Sequence, residues 1–227
     1  MEIYATRIDE TKEEELERLC DLIDRKRYDK VSATRHKAAR KRSICVGLLL
    51  RYSFLKAGNC EEEWMQVEIK QGEYGKPFLT NYPDFQYSLS HSGEWAVCAT
   101  DTKPVGIDIQ EMKHWNLNLA KRFYHEKEYG RLLNQEKFST KNQTKAFYSM
   151  WTAKESAVKR SGRGIGAGIS QYITAEDYNS IYDAEKKQTV HIKVYDDFEG
   201  YIVCACSDAG IFPNELKVID FSVLCKN

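Results

Sequence analysis

Hydrophobic and polar positions alternate along the chain with two different periods, and these periods change in the same order twice. Hydrophobic residues recur at helical spacing from Leu16 to Ile23, after a capping box formed by Thr11 and Glu14. A second helical pattern begins near residue 32 and ends near residue 56, before a Gly-Asn pair. The pattern therefore predicts two helices in the first part of the chain.

Extended segments follow these helices. From Val67 onward, hydrophobic residues alternate with charged ones, and turn residues separate the short segments. We predict strands at residues 87–90 and 95–99, on either side of a Ser-His-Ser-Gly turn. After Pro104 the order repeats: a short strand at 105–109, helices at 117–123, 126–133 and 144–160, a glycine-rich loop at 162–168, and strands near 191–195, 201–206 and 216–224.

Helices followed by strands, twice, predict an α+β protein made of two similar halves, residues 1–103 and 104–227. Residues 95–99 and 201–206 are weakly alike, which fits a duplication. Because no long linker separates the halves, we expect a tight interface between them. Ligand sites often lie at such interfaces.

The composition argues against nucleic-acid-binding, membrane-spanning, secreted and zinc-binding proteins. The 34 basic and 34 acidic residues cancel, so there is no general attraction to nucleic acid or to an anionic membrane. The apolar run at residues 46–50 is too short to cross a bilayer, and the acidic N-terminus does not fit a signal peptide. The seven cysteines lack zinc-ligand spacing, so we expect reduced, mostly buried thiols in a cytoplasmic protein.

Asp108 is the first candidate for chemistry. Residues two apart on a strand share a face, so Asp108 and Gln110 point together and Glu111 points away. An Asp at the end of a strand also commonly caps the following turn. On the strand alone, both interpretations stay open.

Glu155 is the second candidate. It lies one helical turn after Trp151 and one turn before Lys159, so the three share a helix face. A Glu–Lys pair at this spacing is usually an exposed salt bridge of small effect. The Trp, however, indicates a partly buried face, where charges are costly unless they have a function. Carboxylates beside lysines suit a divalent metal on a polyphosphate.

Basic residues concentrate between Arg25 and Arg42. Nine Lys or Arg stand against one Asp in these 18 residues, although the whole chain is neutral. Such runs are usually a solvated helix face, but they also suit a phosphate monoester. Lys76 and His91 are candidates for the same pocket, and a lone His in a turn is more often structural.

Together these segments resemble one family, the larger, surfactin-type 4′-phosphopantetheinyl transferases. The family motifs GxDxE, FSxxE and WxxKExxxK correspond to residues 106–110, 124–128 and 151–159. The Tyr-Gly-Lys-Pro block at Lys76 and the Ser-His-Ser block at His91 stand upstream in the family's order. The similarity covers roughly residues 30–206.

The resemblance implies Mg²⁺-dependent transfer of the 4′-phosphopantetheine arm from coenzyme A to a serine of an acyl or peptidyl carrier protein, releasing 3′,5′-ADP. It also implies a pseudo-twofold pair of α+β halves with the active site in the cleft between them. Residues 1–103 would hold the nucleotide end of coenzyme A, and residues 104–227 the metal and catalytic residues. We expect a monomer, because two fused halves supply one complete cleft.

The resemblance also implies roles for individual residues. The metal ligands would be Asp108, Glu155 and Gln110. Coenzyme A would contact Arg42, Lys76, Ser90, His91, Asp108, Lys154 and Lys159, with Lys26 and Lys30 as further candidates. The catalytic residues would be Glu128, as the base that accepts the serine proton, and Lys154 and Lys159, along the pyrophosphate.

Gln110 departs from the family pattern, which commonly has Glu at this position. A Gln carbonyl can still ligate Mg²⁺ or hold a water, but one negative charge is lost. We therefore expect weaker metal binding, and Glu111 replaces the lost charge only if a bulge turns it inward. His125, where the motif has a small residue, is a lesser departure.

Other functions stay open on the sequence. The chain could bind coenzyme A or a carrier protein without catalysis, with Gln110 as a trace of a decayed metal site. It could be a different Mg²⁺-dependent phosphotransferase, whereas nucleic-acid binding is disfavoured because the basic run holds only one aromatic residue. Carrier proteins are generally acidic near their serine, so the region 123–138 and its surroundings offer plausible contacts: Lys121, Arg122, Lys127 and Arg131.

Overall fold

The computed structural model describes residues 1–8, 13–134, 140–164 and 168–226. The predicted α+β architecture is confirmed. Two mainly antiparallel sheets each carry one long helix, and a smaller two-stranded sheet lies at the side. The helices are α1 Glu13–Leu19, α2 Arg25–Ala33, α3 Lys37–Lys56, α4 Glu61–Trp64, α5 Leu117–Phe123, α6 Glu126–Asn134, α7 Thr140–Ser161 and α8 Phe221–Leu224.

The first sheet has the strand order β11-β1-β5-β4. Its strands are β1 Glu2–Arg7, β4 Gln86–Ser92, β5 Trp95–Asp101 and the short β11 Lys217–Val218. Helix α3 covers this sheet, and its buried face, from Ile44 to Phe54, supplies much of the core on that side. The hairpin of β2 Ile69–Gln71 and β3 Pro77–Leu79 lies beside it.

The second sheet has the strand order β6-β10-β9-β8-β7. Its strands are β6 Val105–Glu111, β7 Tyr172–Thr174, β8 Ser180–Asp183, β9 Gln188–Tyr195 and β10 Tyr201–Ser207. Helix α7 packs across β6 and β10. Its small residues Ala153 and Ala157 are fully buried against this sheet, so the helix lies close to the strands.

The two sheets share one hydrophobic cluster, which forms the junction between the halves. Ile3 and Val97 enter it from the first sheet, and Ile107 and Val203 from the second. All four are buried. The predicted tight interface between two α+β units is therefore a continuous piece of core.

At this junction the edge strand β4 of one sheet meets the edge strand β6 of the other. Serine hydroxyls of β4 accept hydrogen bonds from backbone N–H groups of β6, at intervals of two residues. Ile107 donates to Ser88 at 3.0 Å, Ile109 to Ser90 at 3.4 Å and Glu111 to Ser92 at 3.0 Å. Residues two apart share a strand face, so one run of alternate serines satisfies donors that a neighbouring strand would otherwise pair. We call these three contacts the serine ladder.

Gly106 sets the distance between β6 and helix α7. A Cβ atom built at Gly106 would lie 1.9 Å from the Ser156 carbonyl oxygen and 2.5 Å from the Arg160 backbone nitrogen. Both are backbone atoms of α7, so rotation of a side chain cannot relieve the overlap. Only glycine lets the helix approach this closely.

Several boundaries differ from the sequence predictions. The segment predicted as one helix over 32–56 holds the end of α2 and all of α3, separated by residues 34–36. The side chain of Asp24 caps α2, and that of His36 caps α3. Because the capping box at Thr11 involves a residue outside the described residues, it stays a prediction.

The C-terminal segment corrects another prediction. Residues 216–224 do not form one strand: β11 pairs in parallel with β1, and α8 follows. Phe221 and Leu224 are buried in the core beside α3, so this end of the chain packs on the first sheet. Strand β1 was not predicted from the sequence, and its four consecutive buried residues, 3–6, lack the alternating burial of a half-exposed strand. Within the described residues, no helix is long and apolar enough to span a membrane.

Gly106→Ala should lower the free energy of unfolding, because the new methyl group must push α7 away from β6. Overpacking of this kind typically costs about 1–3 kcal/mol. Urea denaturation of the purified variant measures the loss.

Gly130→Ala is the matched control. Gly130 lies in α6, and a Cβ added there meets nothing within 4 Å. Alanine is favoured over glycine in a helix by about 1 kcal/mol, so this variant should be as stable as the original chain or more so. Equal stability losses in the two variants would contradict the close-approach explanation.

Candidate functional site

Asp108, Lys159 and Ser90 form a polar cluster where the two halves meet. The Asp108 Oδ1 atom accepts hydrogen bonds from the Lys159 ammonium at 2.7 Å and from the Ser90 hydroxyl at 2.8 Å. Lys159 also reaches the Leu89 carbonyl oxygen at 3.4 Å. Three elements, β6, α7 and β4, thus place charged and polar atoms at one point.

Glu155 belongs to the same cluster. It lies one turn before Lys159 on α7, on the face that packs over β6. Burial raises the pKa of its carboxyl group, and the negative charge of Asp108 raises it further, while Lys159 opposes the shift. In the described ranges, neither a hydrogen-bond donor nor an ion-pair partner contacts this carboxylate. The Lys159 ammonium therefore contacts only Asp108, and its charge acts on Glu155 without a direct contact.

Gln110 contacts the cluster as a neutral neighbour. Its side-chain amide donates to Asp108 Oδ2 at 3.1 Å. Strand β6 pairs with β10 residue by residue, from Glu111 opposite Tyr201 to Val105 opposite Ser207, so no bulge turns Glu111 inward. Instead, the Glu111 carboxylate forms an ion pair with Lys113 at 2.8 Å. The charge lost at position 110 is not replaced from position 111.

The donor set fits a small divalent cation. Mg²⁺ is typically held by one or two carboxylates, with substrate phosphate oxygens and waters completing the coordination. Asp108 and the unpartnered Glu155 supply two carboxylates whose mutual repulsion a cation would relieve. In the described part of the chain, no group of three or more acidic, His or Cys residues could hold a metal ion. A metal held by Asp108 and Glu155 would therefore take its remaining ligands from other protein oxygens, from water or from the substrate.

The cleft beside this cluster is lined from both halves. Lys76 and Leu89 of the first half face Glu155 and Lys159 of the second across it. The ends of α7 and of the β2–β3 hairpin thus border the same cavity. Of the predicted site residues, Lys76, Glu155 and Lys159 line this cavity.

Cationic residues surround His91 next to the cluster. Partial burial lowers the pKa of the His91 imidazole, and the positive charges of Arg42, Lys159 and Lys30 lower it further. The negative charge of Asp108 opposes this shift. Arg42 and Lys30 come from α3 and α2, within the basic run. The run therefore places at least two of its cations near His91, where an anion would be stabilised.

Lys76 lines the cleft, but its ammonium group contacts backbone carbonyl oxygens. Its ammonium donates to the Val105 carbonyl oxygen at 3.0 Å and to the Arg160 carbonyl oxygen at 2.9 Å. Burial, followed by the charge of Arg160, lowers the pKa of Lys76 to about 8. In this geometry Lys76 ties the β2–β3 hairpin to β6 and to the end of α7. Its predicted contact with coenzyme A has only the remaining N–H group available.

Glu128 and Lys154 lie apart from the cluster, as a fully buried ion pair. The Lys154 ammonium contacts Glu128 Oε2 at 2.7 Å, and both side chains are 0% exposed. It also donates to the Tyr172 carbonyl oxygen. Burial lowers the pKa of Lys154, and the charge of Glu128 offsets part of this shift. The structure does not bring either residue to Asp108.

Both oxygens of Glu128 are occupied by other groups. Oε2 accepts from the His125 backbone N–H at 2.8 Å, and Oε1 from the Thr174 backbone N–H at 2.7 Å. The first contact caps α6 and the second holds β7. A carboxylate so enclosed reaches a substrate hydroxyl only if the pair opens, which qualifies the predicted role of Glu128 as a base.

The predicted carrier contacts divide into two kinds. Lys121, Arg122 and Lys127 are exposed on α5 and α6. Arg131 donates to the Thr174 carbonyl oxygen and is partly buried, so it braces β7. The end of the predicted surface, residues 135–138, lies outside the described residues.

The serine ladder was missed in the sequence analysis. Alternate serines at 88, 90 and 92 are a visible signal on a strand. Their partners, however, are backbone groups of a strand about 20 residues later, and no local pattern identifies such partners.

The chain matches two family descriptions that together cover most of it. Residues 104–206 match the 4′-phosphopantetheinyl transferase superfamily, and residues 10–103 match the 4′-phosphopantetheinyl transferase N-terminal region. It is 30% identical over 228 residues to the 4′-phosphopantetheinyl transferase Sfp of Bacillus subtilis, covering 99% of this chain and 100% of that protein. It is 35% identical to the 4′-phosphopantetheinyl transferase gsp of Aneurinibacillus migulanus, over 73% of this chain and 68% of that protein.

The buried pair predicts strong thermodynamic coupling between Glu128 and Lys154. Glu128→Gln or Lys154→Met alone should lower the free energy of unfolding by about 3–5 kcal/mol, because each leaves one buried charge uncompensated. The double variant should lose less than the sum of the two. Urea denaturation of all four proteins measures the coupling, and strictly additive losses would contradict a buried ion pair.

Proposed function

Because the chain belongs to the 4′-phosphopantetheinyl transferase superfamily, we propose that it transfers the 4′-phosphopantetheine group of coenzyme A, with Mg²⁺, to a serine of an acyl or peptidyl carrier protein and releases 3′,5′-ADP. One observation carries the proposal: Asp108, Glu155 and Lys159 converge beside the cleft between the halves. The names of the relatives support the transfer reaction.

We assign Mg²⁺ to Asp108 and Glu155, with Gln110 beside them. When bound, Mg²⁺ would neutralise charge on the pyrophosphate oxygens. Asp108 is held by three donors, so its carboxylate is preorganised, whereas Glu155 has its oxygens available. Because position 110 is neutral, phosphate oxygens and waters would supply the remaining ligands.

The nucleotide end of coenzyme A is proposed to lie against the first half. Arg42 and His91, with Lys30 nearby, present positive charge for its 3′-phosphate. Lys76 contributes mainly by holding the hairpin against α7. The division of labour expected for residues 1–103 and 104–227 is part of this proposal.

The reaction needs little covalent participation by the protein. The carrier serine oxygen forms a bond to the β-phosphorus, the bond from that phosphorus to the bridging oxygen breaks, and 3′,5′-ADP leaves with the bond's electron pair. The serine proton passes to a base or to solvent. Lys159, beside the carboxylates, stabilises the charge that develops on the phosphates.

Glu128 and Lys154 are proposed to orient α7 while their ion pair is closed. The predicted role of Glu128 as proton acceptor requires the pair to open. The double variant separates these roles, since a positioning pair regains activity when both charges are removed, whereas a catalytic base does not.

The direct test is the mass of an apo carrier protein incubated with this chain, coenzyme A and Mg²⁺. We expect a gain of one phosphopantetheine group, and Glu155→Gln should lower the rate severely because the carboxylate needed for the metal is lost. A chain that binds coenzyme A but modifies none of several carriers would contradict transfer and favour a binding protein.

Gln110→Glu should lower the Mg²⁺ concentration needed for half-maximal activity, because a third carboxylate strengthens the site. Initial rates over a range of Mg²⁺ concentrations measure the shift. The control is Glu111→Gln, whose side chain points to Lys113 and should leave Mg²⁺ dependence unchanged. An unchanged dependence in Gln110→Glu would show that position 110 is not near the metal.

A further inference from the structure

The three serines of the serine ladder accept equivalent hydrogen bonds from β6, but they differ in what their own hydroxyl protons contact. Ser88, Ser90 and Ser92 each accept one backbone N–H of β6. Ser90 alone of the three also donates its hydroxyl proton to Asp108, at 2.8 Å. A hydroxyl has one proton, so this donation fixes the direction in which Ser90 points.

The hydrogen bond from Ser90 to Asp108 lies in a buried environment, where it is strong. Ser90 is 8% exposed and Asp108 is 2% exposed, so water competes weakly for either group. Hydrogen bonds to an ionised acceptor are stronger than those between neutral groups. The Lys159 ammonium contacts the same Oδ1 atom, but it comes from a long, flexible side chain that is 30% exposed. Ser90 is the short and rigid donor.

Ser90 therefore has two roles: it helps to join the two halves, and it orients the Asp108 carboxylate. Its oxygen accepts the Ile109 N–H, which joins the halves, and its proton orients the carboxylate one residue earlier on β6. Any separation of β4 from β6 would remove the donor from Asp108. The orientation of this carboxylate thus depends on the halves being closed on each other.

We infer that Ser90 is a positioning residue for the proposed metal ligand Asp108, acting from the opposite half of the molecule. The inference rests on the proposed function, and it differs from the contact with coenzyme A expected for Ser90 from the sequence. Groups that hydrogen-bond a metal ligand typically change metal affinity when they are removed.

The test is the affinity for Mn²⁺ alone, measured from the electron paramagnetic resonance signal of the free ion. Ser90→Ala should weaken Mn²⁺ binding by about 10–100-fold. Ser92→Ala is the matched control, because it loses an equivalent ladder hydrogen bond at 3.0 Å but no contact with Asp108. Its Mn²⁺ affinity should equal that of the unaltered chain.

A second pair of variants protects the test against a folding defect. Ser90→Thr and Ser90→Val have nearly the same shape, and only Thr keeps the hydroxyl. Thr should retain Mn²⁺ affinity and Val should lose it. Equal affinities in the two variants, or equal losses in Ser90→Ala and Ser92→Ala, would overturn the inference.

Kinetics separate this inference from the alternatives. Ser90→Ala should raise the Mg²⁺ concentration for half-maximal transfer and leave the KM for coenzyme A unchanged. A raised KM for coenzyme A with unchanged metal dependence would show that Ser90 contacts the substrate instead, and would overturn the inference. If the unaltered chain modifies no carrier while the Mn²⁺ affinities still differ as expected, the proposed function fails and the positioning role stands.

Discussion

The site depends on how two strand edges meet. Strands β4 and β6 belong to different sheets, yet they lie side by side at the junction of the halves. There the hydroxyls of Ser88, Ser90 and Ser92 accept hydrogen bonds from N–H groups of β6. Buried backbone donors must be satisfied, so the serines make this junction possible without a shared backbone ladder. The residues proposed to bind the metal and the pyrophosphate lie beside this junction of β4 and β6.

Close packing of helix α7 on strand β6 is the second constraint on the site. Because Gly106 has no Cβ atom, α7 lies directly on β6, which brings Glu155 and Lys159 to Asp108. The buried pair of Glu128 and Lys154 ties the same helix to α6. The cluster is thus positioned by one helix and two strands, and the charge of Asp108 acts on the carboxyl group of Glu155.

Much of this arrangement could be predicted from local spacing. Asp108 and Gln110 share a strand face, and Glu155 and Lys159 share a helix face, so the motif positions alone grouped them correctly. The α+β class followed from the repeated order of helices and strands. What could not be predicted involves partners distant in sequence: the carbonyl groups that bind Lys76, the enclosure of Glu128 by Thr174, and the return of Phe221 to the first half.

The central claim is that a divalent ion lies between Asp108 and Glu155 when coenzyme A occupies the cleft. The most direct measurement is the anomalous scattering of Mn²⁺ in crystals of the chain grown with coenzyme A. The account predicts one strong peak within coordination distance of both carboxylates and of the pyrophosphate. A peak elsewhere, or a pyrophosphate bound with no metal beside Asp108, would contradict it.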